Sequence, residues 1–380
     1  MEGKRIGNYR IVRHLGSGGM ASVFEAVHEP DGIRAALKVL HPTMATNPDV
    51  AARFRSEAYA ANLVHHPGLV RVLDCGQLDS GILFLAMEYL EGVSLHARLN
   101  QVGGGRLPPL KAVQIVAQLA AALSALHARK IVHRDLKPEN IMLIADPEAP
   151  GGELAKILDF GIAKLAAADA APSGLVTRTG MLMGTPTYMA PEQCRGARGV
   201  DDRADVYALS VILYQIIAGQ PPFSASGPAE VMAMHLFDEP PPLQGHAPQL
   251  SVELAQLVHS MLRKQPLQRP TMADVARRLS EMGNLPDDFT EVVPLLDSPL
   301  AGPAGGRAGW PGAPAIATPT LLVAERPPAL TPLLSVELLE PLADPHTRRT
   351  VLPRRRGLWM ALALLAAAVV GSGLRWLMGP

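Results

Sequence analysis

Within ten residues, Ile131-Val132-His133-Arg134-Asp135-Leu136-Lys137-Pro138-Glu139-Asn140, the chain sets an acid, a cation and an amide close together: Asp135, Lys137 and Asn140. Phosphoryl transfer needs these groups. An acid must accept or orient the proton of an attacking hydroxyl, a cation must offset charge on the transferring phosphoryl, and an amide oxygen can hold Mg²⁺. Apolar residues bracket the stretch, Ile131 and Val132 before it and Ile141 to Ile144 after it. That bracketing predicts a loop held between two short buried strands. Two more positions stand out. Lys38 interrupts the apolar run Ala35-Ala36-Leu37-Lys38-Val39-Leu40, where a cation is either an edge-strand solubiliser or a ligand for phosphate. Asp159 ends the strand pattern Ala155 to Leu158, immediately before Phe160 and Gly161.

The elements that must position these residues follow from periodicity. Tyr9 to Leu15 alternates like a half-buried strand, runs into Gly16-Ser17-Gly18-Gly19-Met20-Ala21-Ser22-Val23, and continues as a strand from Phe24 to His28. Such a hairpin can close over phosphates, because glycines let the backbone approach anionic oxygens and its amides can donate to them. It is no Walker A loop, having no G-K-[ST]. Residues 49–64 carry a helical pattern that includes Glu57. Val70 to Gly76 and Ile82 to Glu88 read as a strand pair joined by a Gly-containing turn at Gln77 to Gly81, leading into Met87-Glu88-Tyr89-Leu90. From Pro108 to Arg129, Val116, Leu119, Leu123 and Leu126 recur at helical spacing, with proline at the helix start. Gly103 to Gly105 read as a flexible surface turn. Ile162 to Met183 is rich in Ala, Ser and Thr without a clear period, which predicts a mobile loop. Asp205 to Ala218 is apolar almost all round, as a helix at the centre of a domain must be. Ser251 to Leu262 and Met272 to Met282 predict two amphipathic helices.

Together these motifs resemble the protein kinase family. Residues His133 to Asn140 are similar to its H-R-D-L-x-x-x-N catalytic loop, Ala35 to Lys38 to its V-A-I-K strand, Asp159-Phe160-Gly161 to D-F-G, and Ala190-Pro191-Glu192 to A-P-E. Asp159 falls 24 residues after Asp135 (159 − 135 = 24), the separation that makes an otherwise common tripeptide informative. Lysine two residues after Asp135 is the form of the serine/threonine branch. The resemblance covers residues 8–283 and implies an α+β, two-lobed fold, with a β-rich small lobe over residues 8–88 and a mainly helical large lobe over 92–283. It implies ATP as cofactor with Mg²⁺, Mn²⁺ being an alternative. Leu15 to Val23 would cover the phosphates, Val23 would roof the adenine, and backbone groups of Glu88 and Leu90 would bind its edge beside Met87. Lys38 would pair with Glu57 and reach the phosphates, while Asn140 and Asp159 would hold metal. Arg134 would receive a phosphate from Thr177 or Thr179. Thr185, Glu192, Asp205 and Arg269 would shape the peptide-binding side, Asp205 by capping the catalytic loop and Arg269 by pairing with Glu192. Ala21 stands where the family pattern has its third glycine.

Composition adds boundaries. Lys+Arg and Asp+Glu balance at 35 each over 380 residues, so charge points to no nucleic-acid partner. Cys75 and Cys194 lie far apart without metal-ligand spacing, which suggests a reducing compartment. No secretory signal pattern opens the sequence. Residues 284–356 are expected to form a Pro/Ala-rich juxtamembrane linker, ending in the basic cluster Arg348, Arg349, Arg354, Arg355 and Arg356. Residues 357–374 carry no charge, which predicts a transmembrane helix, and residues 375–380 a short extracytoplasmic tail. Arginine enrichment before the span puts the catalytic part in the cytoplasm at the cell membrane. The expected partners are Ser/Thr-bearing proteins and a second copy for autophosphorylation in trans. The competing class is a pseudokinase scaffold, whose sign is loss of the lysine or of a catalytic or metal-binding acid; Lys38, Asp135, Asn140 and Asp159 are all retained.

Overall fold

The structure is a computed structural model that describes residues 1–48, 50–52, 54–55, 63–159, 186–196 and 199–284. These all fall in the first of the two units into which the chain divides, Met1–Ala313; the second, Pro314–Pro380, lies outside them.

The N-terminal part is a six-stranded antiparallel sheet built from β1 (Arg5–Ile6), β2 (Tyr9–Ser17), β3 (Ala21–His28), β4 (Arg34–Leu40), β5 (Val72–Gln77) and β6 (Leu83–Glu88), in the order β1-β2-β3-β4-β6-β5. Strand alternation sends Ala35, Leu37 and Val39 of β4 to one face, where they pack with Ile11, Phe24 and Phe84. Ala36, Lys38 and Leu40 therefore share the opposite face, toward the main core. Between β4 and β5 lie α1 (Pro42–Ala45) and helical residues at Val50 to Ala52, Phe54 and Arg55.

The chain then forms β7 (Gly92–Ser94) and α2 (Leu95–Gln101), whose first turn is capped by Ser94 Oγ accepting from Ala97 N. It continues into α3 (Pro109–Ala128), the segment 129–140, β8 (Ile141–Ala145) and β9 (Glu153–Ile157), with β7, β8 and β9 forming a second, antiparallel sheet. Beyond residue 186 come α4 (Pro191–Cys194), α5 (Arg203–Ala218), α6 (Pro228–Phe237), α7 (Val252–Met261) and α8 (Met272–Gly283). Helix α3 has the length and hydropathy to cross a membrane, but 72% of that apolar window is buried, as befits the central helix of the lobe. It packs against α5 and α8, and α5 in turn against α7. The all-round apolarity of α3 and α5 reflects burial on every side.

One expectation needs correction. Ile131 and Val132 form no strand: Lys130, at φ 60°, turns the chain after α3, and pairing begins only at Ile141. The amides of His133 and Arg134 donate to the carboxylate of Asp205, which takes the place of a neighbouring strand. The turn at Gly103–Gly105 lies at the surface, as expected, with Gly103 and Gly104 exposed, and a Cβ on Gly219 would collide with the carbonyl oxygen of Gly104. Gly219 ends α5 at φ 83°, so this contact and the left-handed cap both require glycine there. Helix α6 and the short α2 went unanticipated.

Candidate active site

Lys38 sits in mid-strand on β4, directly opposite Val23 on β3 and Leu85 on β6. Its ammonium donates to Asp159 Oδ1 at 3.0 Å. Asp159 follows β9, and the backbone there is anchored by Leu158 N donating to Asn140 O at 2.9 Å. Burial would raise the Asp159 carboxyl, but the charge and hydrogen bond of Lys38 outweigh it, helped by His133 and Lys137, and hold it below the usual carboxylate range. It is therefore ionised, as a cation ligand must be.

Asn140 and Asp135 lie on the adjoining loop. The Asn140 amide donates from Nδ2 to Asp135 O at 3.0 Å, which fixes the loop across five residues and leaves the amide oxygen as the atom able to hold a cation. Lys137 Nζ lies 3.7 Å from Asp135 Oδ2, so the acid and the cation of the motif occupy one spot. Among the described residues no group of three or more His, Cys, Asp or Glu side chains could hold a metal unaided. Asn140 and Asp159 offer two hard oxygen ligands. That suits Mg²⁺, which takes one or two protein oxygens and completes its shell with substrate phosphates and water.

The geometry of this loop depends on residues far along the chain. Asp205, fully buried at the start of α5, accepts from His133 N and Arg134 N, each at 2.8 Å, and from His127 Nε2 at 2.8 Å. Burial would raise its carboxyl, but the His127 hydrogen bond leads a set of contacts that holds it below the usual range. Arg134 has φ 63°, a strained backbone for a non-glycine residue that surrounding bonds must hold. Its carbonyl accepts from Gln193 Nε2 at 2.9 Å, and its guanidinium donates from one terminal nitrogen to Val200 O at 2.7 Å. Among the described residues, Arg134 Nε is buried without a partner.

Over the cleft, β2 and β3 close the glycine hairpin through the register pair Ser17↔Ser22 and a bond from Gly18 N to Ala21 O at 2.8 Å. Space is open where side chains would stand on Gly16 and Gly19. Ala21 is buried opposite Leu40, so its methyl packs into the sheet and a glycine is not needed there. His14, Ser17, Ser22 and His41 form a side-chain chain along the hairpin, with successive contacts of 2.8, 2.9 and 2.9 Å. Met87 is buried at the end of β6. Glu88 uses its amide on Arg71 O at 2.9 Å, and its carboxylate accepts from Lys156 Nζ at 2.6 Å and Arg71 N at 2.8 Å. The amide of Glu88 is thus engaged by Arg71, and Leu90 follows two residues on.

On the far side of the loop, Arg269 donates bidentately to Glu192 at 2.7 and 2.9 Å. Its remaining N–H groups go to the carbonyls of Arg203, Arg263 and Lys264, so the whole fork is satisfied. Nearby, His235 bridges Tyr207 Oη at 2.9 Å and Thr187 O at 3.0 Å, joining α6 to α5 and to residues 186–188. His127, Gln193 and His235 were missed at the level of sequence, where each is a lone polar residue in an apolar pattern. Glu57, Thr177, Thr179 and Thr185 lie outside the described residues, as do Phe160, Gly161 and residues 285–380.

Comparison with known proteins places this arrangement. The family model described as "Protein kinase domain" matches residues 9–279. Serine/threonine-protein kinase pkn3 of Myxococcus xanthus is 41% identical over 272 residues, 70% of this chain and 48% of that protein. Serine/threonine-protein kinase PknA of Mycobacterium tuberculosis is 39% identical over 267 residues, 69% of this chain and 58% of that protein. The chain thus spans about half the length of these curated relatives. Among solved structures, the Mycobacterium tuberculosis PknI kinase domain superposes with a TM-score of 0.56 at 29% identity, covering 74% of this chain and 98% of that one.

Proposed function

The chain belongs to the protein kinase family, whose domain model it matches over residues 9–279, and from that premise we propose that it transfers the γ-phosphate of ATP to serine and threonine hydroxyls of proteins. The observation that carries this reading is the meeting of an ionised Asp159, its partner Lys38 on β4, and the loop that carries the Asn140 amide and the Asp135–Lys137 pair. Asp135 orients the attacking hydroxyl and takes its proton, and Lys137 beside it offsets charge on the transferring phosphoryl. Lys38 shares its charge between Asp159 and the nucleotide phosphates. A divalent cation, Mg²⁺ by the hardness of the Asn140 and Asp159 oxygens, would supply neutralisation of the phosphate charge when bound with ATP. The serine/threonine class rests on Lys137 and on the names of the relatives. The test is transfer of labelled phosphate from ATP to the protein itself and to a generic Ser/Thr substrate. Asp135→Asn should lower turnover by about a thousandfold or more with ATP binding kept; an undiminished Asp135→Asn enzyme would overturn the assignment.

Control and location extend the same reading. The buried Nε of Arg134, without a partner among the described residues, supports a role for this guanidinium in receiving a phosphate, with Thr177 and Thr179 as the sources. The charge-free segment 357–374 anchors the chain in the cell membrane as a single span, with the catalytic domain in the cytoplasm and the arginine cluster at the inner headgroups. Tethering raises the effective concentration of a second copy for phosphorylation in trans.

A further inference from the structure

The sheet order separates β2 from β6 by two intervening strands, β3 and β4. The glycine hairpin is thus joined to the chain after β6 only indirectly through the ladder. A side-chain network makes the direct link. Glu25 on β3 pairs in register with Arg13 on β2 and with Ala36 on β4, so it lies on the sheet face shared by Val23 and Lys38, the cleft side. Its side chain is only 9% exposed. Arg13 Nε donates to one of its oxygens at 2.7 Å and Arg34 Nε to the other at 3.0 Å. Both arginines then reach Tyr89, one residue beyond β6. Arg13 donates from a terminal nitrogen to Tyr89 Oη at 2.9 Å, while the Arg34 guanidinium stacks 4.0 Å from the centre of the Tyr89 ring and pairs with Glu91.

We propose that Glu25 and Tyr89 are positioning residues for the nucleotide: through Arg13 and Arg34 they strap the strands of the glycine hairpin to the segment Glu88–Leu90 and so fix the height of the cleft in which the adenine lies. The proposal rests on the kinase reading. Burial alone would raise the Glu25 carboxyl, but hydrogen bonds from Arg34 and Arg13 outweigh it and keep it below the usual carboxylate range, so the hub of the strap stays charged. The exposed Arg34–Glu91 pair adds little by itself. The hub is different, because an almost fully covered carboxylate with two guanidinium partners holds one geometry. Loosening it lets the hairpin rise relative to the hinge, which weakens nucleotide binding and leaves Asp135, Asn140 and Asp159 where they are.

The experiment uses the full chain, with Tyr89→Leu, Tyr89→Phe and Glu25→Gln. Three quantities are read: the dissociation constant of a fluorescent ATP analogue, KM for ATP against kcat, and the melting temperature. In Tyr89→Leu and Glu25→Gln, the dissociation constant and KM for ATP should rise about five- to tenfold while kcat stays within about twofold. Tyr89→Phe keeps the ring beneath Arg34 and loses only the bond to Arg13, so its rise should be about twofold. A lowered melting temperature with unmoved nucleotide constants in Tyr89→Leu overturns the proposal, since that is what a purely structural contact gives. If Glu25→Gln fails to fold, the two Tyr89 variants decide alone. Wild-type protein that binds the analogue without transferring phosphate counts against the kinase reading and leaves the binding comparison to judge the strap; wild-type transfer with unchanged variants removes the strap only.

Discussion

At the scale of single residues, the two acids that matter most do opposite work. Asp159 is ionised beside Lys38 and faces the cleft, whereas Asp205 is ionised in the interior and serves backbone amides. Replacing Asp205 with alanine leaves buried N–H groups of His133 and Arg134 without an acceptor and releases the strained φ of Arg134. The expected cost is about 3 kcal/mol of stability together with a fall in kcat, checked by urea unfolding and by steady-state kinetics. Arg269 gives a second prediction. Its guanidinium has no exposed surface and serves Glu192 and three carbonyls, a set of directions that an ammonium on a flexible stem cannot reproduce. Arg269→Lys should therefore lose about 3 kcal/mol, read as a lowered urea midpoint. Retention of wild-type stability would mean the fork geometry is irrelevant.

At the scale of elements, α6 is held to α5 and to residues 186–188 through one buried imidazole. Burial, with the Lys264 charge behind it, lowers the His235 pKa from 6.5 to about 4. The neutral ring donates from Nε2 to Thr187 O and accepts from Tyr207 Oη. A depressed histidine contributes stability that is complete above 6.5 and is lost as pH falls toward 4, because the unfolded chain binds the proton first. At pH 5 the loss from this one group should be about 2 kcal/mol, from 1.5 units at 1.36 kcal/mol each. His235→Gln should be less stable at pH 7.5 yet show a flatter decline between pH 7 and 5, measured by urea unfolding at each pH. An identical slope in both proteins would assign the acid sensitivity elsewhere. The helix that α6 leans on has a simpler energetic basis: Leu213 on α5 is fully buried, and Leu213→Ala should cost about 2–5 kcal/mol by the cavity it leaves, depending on how far neighbours relax.

At the scale of the whole molecule, the domain and the membrane reading separate cleanly in experiment. Fractionation of cells making the full chain should place it with membranes, and a version ending at Pro353 should be released to the soluble fraction. External protease should leave the catalytic domain intact. Both versions in the soluble fraction, or loss of the domain to external protease, would remove the single-span arrangement. The grouping that forms the candidate active site was legible before any fold was known, because Lys38, Asp135, Lys137, Asn140 and Asp159 sit in short local patterns whose residue types suggest their chemistry. The long helices were legible for a related reason: α3 and α5 carry runs of apolar residues that only burial explains. The course of Ile131 and Val132 was not legible, since an apolar pair looks the same in a strand and in an extended segment held from elsewhere. What holds it is Asp205, 72 residues beyond His133. The same physics hid the Arg13–Tyr89 bond, which spans 76 residues, and the acceptors gathered around Arg269. By itself, then, the sequence determined which groups are candidates for the chemistry and which faces are buried, because both are properties of residue type and local spacing. Only the tertiary structure decided what fixes those groups in place, because hydrogen bonds and ion pairs between distant segments depend on directions that no local pattern records.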